Sequence, residues 1–185
     1  MSFSSVEIKH VRNLHAVSLE LSQGMNWVVG PNGSGKTSFF EALYVLIYGK
    51  SFRLAKIDYL MMHETDAFSI QAQVMQQAQD QVLRLKKVRG QSGQYFVNQV
   101  LAKRLPIAQR HPLVFINTDA HRIFFSTPSR RRQLIDWGLF HVNPEFYGLW
   151  QKYQRVWQQR NRLLKANAAA SQLAPWSGQL VELGE

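Results

Sequence analysis

The chain has 185 residues, 45% of them hydrophobic, no cysteine and a formal net charge of +10 at pH 7. This length suits one ordinary globular domain, or one domain with a helical appendage, and the missing thiols exclude disulfides, thiolate catalysis and cysteine-ligated zinc together. The longest apolar run, ALYVLIY, is far short of the roughly 20 residues that cross a bilayer, and MSFSSVEIKH lacks the basic and apolar regions of a signal peptide, so no membrane partner and a cytoplasmic location are expected.

Near the N-terminus, SSVEIKHV and AVSLELS alternate apolar and polar residues and predict two half-buried strands broken at RNLH. MNWVV, residues 25–29, is apolar apart from Asn26 and predicts a short strand buried on both faces. Residues 37–48 are apolar almost all round, as in a helix buried on more than one side, and Gly49 is placed to end it in a left-handed cap. FSIQAQVM, QVLRLKKV and QYFVNQVL then predict antiparallel ribbon, and PLVFI, residues 112–116, another short buried strand.

Beyond residue 126 the pattern turns helical. STPSRRRQLIDWGLF offers Ser126 or Thr127 as N-cap and Pro128 as first helical residue. NPEFYGLWQKYQRVWQQRNRLLKANAAA starts with Asn143 as cap, Pro144 at the first position and Glu145 near the positive end of the dipole. Its apolar residues, Phe146, Leu149, Trp150, Tyr153, Val156 and Trp157 among them, form one stripe, and the length suggests a projecting arm.

Charge is unevenly placed. Residues 1–83 hold six Lys or Arg against seven Asp or Glu, whereas residues 84–165 hold sixteen against three. The second part of the chain is therefore expected to face a polyanion. The six histidines show no metal-ligand spacing.

One motif carries chemistry. GPNGSGKT fills every fixed position of GxxxxGK[ST], through Gly30, Pro31, Asn32, Gly33, Ser34, Gly35, Lys36 and Thr37, between a predicted strand and a predicted helix. The glycines let consecutive N–H groups turn inward around a phosphate, and the helix start adds its own free N–H groups and dipole. Lys36 would bridge the β- and γ-phosphates of ATP and the Thr37 hydroxyl would ligate Mg²⁺. Hydrolysis also needs a carboxylate for the metal and a group that orients water. Asp119 follows an apolar stretch, but Asn117 stands where a Walker B acid belongs, so PLVFINTD is read as a strand and its exit loop. QSGQ (residues 91–94) and WSGQL (residues 176–180) fall short of the L-S-x-G-Q signature of ABC ATPases. No catalytic residue is assigned within the chain.

With these motifs in place, the stretch HVRNLHAVSLELSQGMNWVVGPNGSGKTSFFEALYVLIYGKSFR resembles the start of the RecF recombination and repair proteins, of the SMC-like ABC ATPases. The resemblance continues through STPSRRRQLIDWGLFHVNPEFYGLWQKYQRVWQQRNRLLK and is weakest over residues 68–110. It covers about the first half of a RecF protein, with the signature motif, Walker B strand and D-loop expected in a C-terminal half outside these residues, so a truncated chain is the expected explanation. The resemblance implies an α/β P-loop NTPase of the ABC/SMC-like type, a mixed sheet with antiparallel N-terminal strands around the P-loop helix. Residues 1–125 would form part of the ATP-binding lobe and residues 126–185 a helical arm that opens a second lobe. It also implies binding of ATP and Mg²⁺, weak ATPase activity of the whole protein, an ATP-dependent head-to-tail homodimer, binding at single-strand/double-strand DNA junctions, and work with RecO and RecR to load RecA at gaps, within DNA-damage and SOS functions. Arg12 and Asn13 match an Arg-Asn pair that approaches the phosphates in related ATPases; the alternative is a turn-forming pair. Arg53 matches an arginine near the γ-phosphate; the alternative is a surface arginine. Thr118, Asp119 and Ala120 depart from a Pro-Glu-Asp-like turn of many members.

Arg130, Arg131 and Arg132 are expected to contact DNA phosphates without reading sequence, or to bind an anion at the helix start or pair with Asp136. Two alternatives stand beside this reading: a small P-loop kinase or phosphotransferase, disfavoured by the basic second part, and a non-catalytic DNA-binding module with a vestigial P-loop.

Overall fold

The computed structural model describes residues 2–76, 79–116, 127–143 and 145–184. Contacts divide the chain into two compact units, Met1–Ile116 and Asn117–Glu185. The first is built on a six-stranded sheet in the order β2-β1-β3-β4-β5-β6, antiparallel at every pairing. The two strands predicted near the N-terminus, β1 (Ser2–Val11) and β2 (Leu14–Glu20), pair as a hairpin, with β2 largely exposed rather than half-buried. The break is tighter than RNLH suggests: Val11 pairs with Leu14, which leaves Arg12 and Asn13 alone at the tip. β3 (Ala67–Gln76) and β4 (Gln79–Val88) are the long central strands. Their alternation, with that of β1, puts Val6, Ile8, Phe68, Ile70, Ala72, Val74, Leu83 and Leu85 on one face, none more than 2% exposed.

Helix α1 (Lys36–Tyr48) covers that face, touching β1, β3 and β4. It buries Phe39, Ala42, Leu43, Val45, Leu46 and Ile47. Each of these side chains larger than Ala42 contributes about 1.5–3 kcal/mol of transfer free energy, so α1 is held by packing more than by its own propensity. Gly49 ends it as expected, left-handed at φ 63° with its N–H on the Val45 carbonyl.

Three strand expectations change. QYFVNQVL is not one strand but β5 (Gln94–Val97) and β6 (Val100–Ala102) around a tight turn at Asn98 and Gln99. Both turn residues have left-handed torsions, 49° and 70°, as a type I′ hairpin needs, and Asn98 anchors the turn by accepting the Val82 N–H through its side chain. Residues 25–29 and 112–116 form no ladder among the described residues. Trp27, Val29, Val114 and Ile116 are 81%, 83%, 61% and 77% exposed, so these segments are covered on one side only. A strand needs a neighbour for its backbone and a layer on each face to bury a continuous apolar run. Here Val28, Leu113 and Phe115 line an apolar groove beside α1, where Phe115 stacks on Phe52 at 4.1 Å and the Tyr48 hydroxyl bonds the Leu113 carbonyl. A short 3-10 turn (Ile57–Leu60) and α2 (Arg104–Arg110), which has no periodic signal long enough to read, complete this unit.

The second unit is helical. α3 (Pro128–Val142) begins with Thr127 as N-cap and Pro128 in the first turn; Ser126 lies outside the described residues. α4 (Phe146–Lys165) starts later than Asn143 suggests, with Glu145 in the cap position and Asn143 accepting the Glu145 N–H two residues before it; Pro144 lies outside the described residues. The predicted long run ends at Lys165. Asn167 turns left-handed (φ 50°), its N–H meets the Leu164 carbonyl and the Ala168 N–H meets the Leu163 carbonyl, the double bond pattern that stops a helix. The chain then returns as α5 (Ala170–Gly184), packed on α4, with Arg160 donating to the Ser177 hydroxyl. Among the described residues no helix is long and apolar enough to cross a membrane.

Candidate nucleotide site

The loop of residues 30–35 leads into α1, whose first intrahelical bond runs from the Phe39 N–H to the Gly35 carbonyl. The N–H groups of Lys36, Thr37 and Ser38 therefore precede the helix ladder and face the loop, the arrangement that attracts an anion. Gly35 is left-handed at φ 97°, and a Cβ there would stand 2.5 Å from Leu14 Cδ2. The β1–β2 hairpin tip thus packs directly on the loop, which is why this position takes no side chain. Asn13, from the same tip, braces it: its amide donates to the Gly33 carbonyl at 2.7 Å and its oxygen accepts from the Ser38 hydroxyl at 3.2 Å. Lys36 lies over the loop, its ammonium donating to the Gly30 and Pro31 carbonyls at 2.7 Å each. The loop, the hairpin tip and Arg53 enclose an open cleft of about 630 Å³ lined by Arg12, Asn13, Asn32, Gly33, Lys36, Thr37 and Arg53.

The donor set fits a polyphosphate. Two guanidinium groups, an ammonium, an exposed threonine hydroxyl and the free N–H groups of a helix start converge on one cleft, and each is a group that binds phosphate oxygens or a hydrated divalent cation. The fold brings Arg12, Asn13 and Arg53 to the loop although they stand 17 or more positions from it in sequence. Arg12 and Asn13 do form a turn, and Asn13 uses its amide to brace the loop itself. Sequence reasoning missed Glu41 and Ser51. Glu41 is wholly buried on α1 with Arg12 Nη2 at 3.5 Å and Arg53 Nη1 at 3.9 Å, and it accepts the Ser51 hydroxyl. An acidic residue in an otherwise apolar helix was the signal that could have found it.

The basic stretch is less uniform than its count. Lys87 is buried on the inner face of β4 and paired with Asp58. Arg89 pairs with Asp66, Arg84 donates to Gln71, and Arg104 donates to the Tyr48 carbonyl at the end of α1. These partners lie far away in sequence, so the count could not separate engaged cations from available ones. Lys86 is exposed, 6.0 Å from the Phe96 ring centre. Arg131 and Arg132 are exposed on the first turns of α3; the Arg130 side chain lies outside the described residues, as do Asn117, Thr118, Asp119 and Ala120. QSGQ lies between β4 and β5, and WSGQL inside α5 rather than at its start.

A P-loop that opens onto a buried helix, with an antiparallel sheet against that helix, defines part of an ABC-type ATPase lobe. Solved structures of this fold agree. The chain superimposes with a TM-score of 0.85 on the recombination mediator protein RecF-ATPrS in the RecFOR pathway, 23% identical, over 99% of this chain and 51% of that one. It also superimposes at 0.62 on an SMC head bound to the C-winged helix domain of ScpA, 20% identical, over 74% of this chain and 50% of that one. The chain belongs to the RecF/RecN/SMC N terminal domain family, whose model matches residues 2–119. Among curated relatives it is 40% identical to the DNA replication and repair protein RecF of Marinomonas sp. (strain MWYL1) and 36% identical to that of Pseudoalteromonas translucida (strain TAC 125). All of the chain is covered in both matches, and it spans about half the length of these relatives, 51% and 52%. Family membership sets aside the small-kinase alternative.

Proposed function

We propose that the chain binds ATP with Mg²⁺ at loop 30–37 and serves as the nucleotide-binding portion of a RecF-type protein of DNA replication and recombinational repair. The observation that carries this is the convergence of Lys36, Arg12, Arg53 and the free N–H groups of α1 on one cleft. Lys36 would bridge the β- and γ-phosphates, the loop N–H groups would surround the β-phosphate, Thr37 would supply one oxygen ligand to the metal, and Arg12 and Arg53 would meet the outermost phosphate. Bound Mg²⁺ neutralises phosphate charge. The chain's own residues bind and orient; none of those described supplies the acid or water-positioning group that turnover requires, so hydrolysis is assigned to the complete, dimerised protein. DNA contact falls to the exposed cations of the second unit, Arg131 and Arg132 together with Arg130, as phosphate contacts at single-strand/double-strand junctions. A cytoplasmic location, cooperation with RecO and RecR, loading of RecA and a place in the SOS response belong to the same reading, supported by family membership.

Fluorescent ATP titrated against wild type and Lys36→Ala tests it. Saturable Mg²⁺-dependent binding is expected for the wild type, and a loss of at least about tenfold in the variant. Equal affinity in the two proteins would remove the loop as the site.

A further inference from the structure

Glu41 is the one wholly buried carboxylate among the described residues. A lone ionised group there would be costly, so its surroundings must compensate it. One oxygen, Oε2, faces Arg12 Nη2 at 3.5 Å and Arg53 Nη1 at 3.9 Å; the other accepts the Ser51 hydroxyl, whose oxygen in turn accepts the Arg53 and Leu54 N–H groups at 2.8 and 2.9 Å. Ser51 thereby ties the loop that carries Arg53 to the helix that carries Glu41. Both arginines line the cleft over Lys36.

Two features show that these arginines are held rather than consumed. Their distances to Glu41 exceed the roughly 2.7–2.9 Å of a saturated charge-assisted bond, and Arg12 Nε is buried with no hydrogen-bond partner among the described residues. Arg12 also has a left-handed torsion, φ 56°, as one of the two turn residues between the paired Val11 and Leu14, so the hairpin turn fixes where its side chain leaves the backbone. Two guanidinium charges share one carboxylate, which leaves a positive charge in excess beside the Lys36 ammonium.

We propose that Glu41, locked by Ser51, is a positioning residue that holds Arg12 and Arg53 as a pair at the mouth of the P-loop, and so sets the preference of the site for a nucleoside triphosphate over a diphosphate. This rests on the nucleotide reading above. Without the shared carboxylate the two guanidinium groups repel and splay, and an oxygen-rich terminal phosphate meets an unorganised pair. A diphosphate, held by the loop and Lys36, loses little.

Equilibrium titration of fluorescent ATP and ADP analogues against the protein separates the two levels. Glu41→Gln is expected to lower the ATP:ADP affinity ratio at least about fivefold, with ADP affinity changed by less than about twofold. The effect is expected to vanish in an Arg12→Ala/Arg53→Ala background, where it has nothing left to act through; a purely structural role would weaken both nucleotides and persist in that background. If circular dichroism shows Glu41→Gln unfolded, Ser51→Ala, which removes a single side-chain hydroxyl, decides by the same ratio. An unchanged ratio in the deciding variant overturns the inference, as does a wild type that binds both nucleotides equally, and either result leaves the P-loop reading intact. A wild type that binds neither nucleotide overturns that reading and this inference with it.

Discussion

The Lys87 ammonium lies 2.8 Å from the Asp58 carboxylate, on a β4 position that alternation assigns to the core, and Lys87 is only 4% exposed. It also donates to the Val88 and Gln91 carbonyls, so all three N–H bonds are used inside the protein. Asp58→Asn is expected to cost about 1–3 kcal/mol, the penalty of a buried cation that loses its counter-ion at a partly exposed site. Lys87→Met, which removes the charge and keeps the volume, should cost less. Urea midpoints at unchanged m-value measure both. The bond from Lys87 holds the Asp58 carboxyl below its ordinary value of 3.8. Its contribution is therefore present above that pH and lost as pH falls below it, and Asp58→Asn should flatten the acid limb of the stability curve.

His111, the residue after α2, is 1% exposed, and its Nδ1 has no partner among the described residues. Burial, with the Arg110 charge beside it, pushes its pKa below the ordinary 6.5. The unfolded chain then takes the proton first as pH falls, so stability held above pH 6.5 declines below it. Thermal midpoints between about pH 7 and 5 should fall in the wild type, and His111→Phe should remove this component of the slope; an identical slope in both proteins would contradict the assignment.

Gly49 closes the P-loop helix in a crowded place: an added Cβ would overlap Arg104 Cδ and the Tyr95 hydroxyl, so one of those side chains would have to shift. Gly49→Ala adds left-handed strain to that clash and should cost about 1–3 kcal/mol, a fall in melting temperature of about 2–4 °C per kcal/mol for a chain of this size. The same change should loosen the Arg104 guanidinium from the Tyr48 carbonyl at the end of α1.

Trp27 and Ile116 present apolar side chains that are 81% and 77% exposed on two segments with no ladder partner among the described residues. Such surfaces promote association. Trp27→Ser together with Ile116→Lys should lower the rise of the sedimentation coefficient with protein concentration while leaving the melting temperature within about 1 kcal/mol equivalent, as expected for exposed positions.

Binding to a junction DNA should weaken as salt rises, and Arg131→Ala with Arg132→Ala should reduce the slope of log affinity against log salt by up to about 1.8, near 0.9 for each phosphate no longer neutralised. Lys87→Met should leave that slope unchanged because its charge is already neutralised by Asp58. A slope insensitive to the arginines would move the DNA surface elsewhere.

Where the physics is local, the reading from sequence held. The strands β1 and β2 followed from alternation at Val6, Ile8, Val17 and Leu19, although β2 is more exposed than that alternation suggests, α1 followed from its apolar run, and its end from Gly49. The loop of residues 30–37 was recognisable because its glycines, Lys36 and Thr37 act through their own backbone and spacing. Where a partner from elsewhere decides, the reading failed. Residues 25–29 and 112–116 have the composition of doubly covered strands, but composition states a demand for neighbours without supplying them. The turn at Asn98 and Gln99 was hidden because Asn-Gln is a weaker hairpin signal than Asn-Gly.

The sequence by itself therefore determined the glycine loop, the helix behind it and the strand alternation that packs them, since each depends on residues within a few positions of one another. Only the tertiary structure decided that Arg12, Asn13 and Arg53 share a cleft with Lys36, that Glu41 stands behind both arginines, and that Lys87 belongs to the core rather than to the basic surface. The reason is electrostatic as well as geometric. A charge near its counter-ion and one facing water are identical in sequence, and only the packing that brings positions 12, 41 and 53 together distinguishes them.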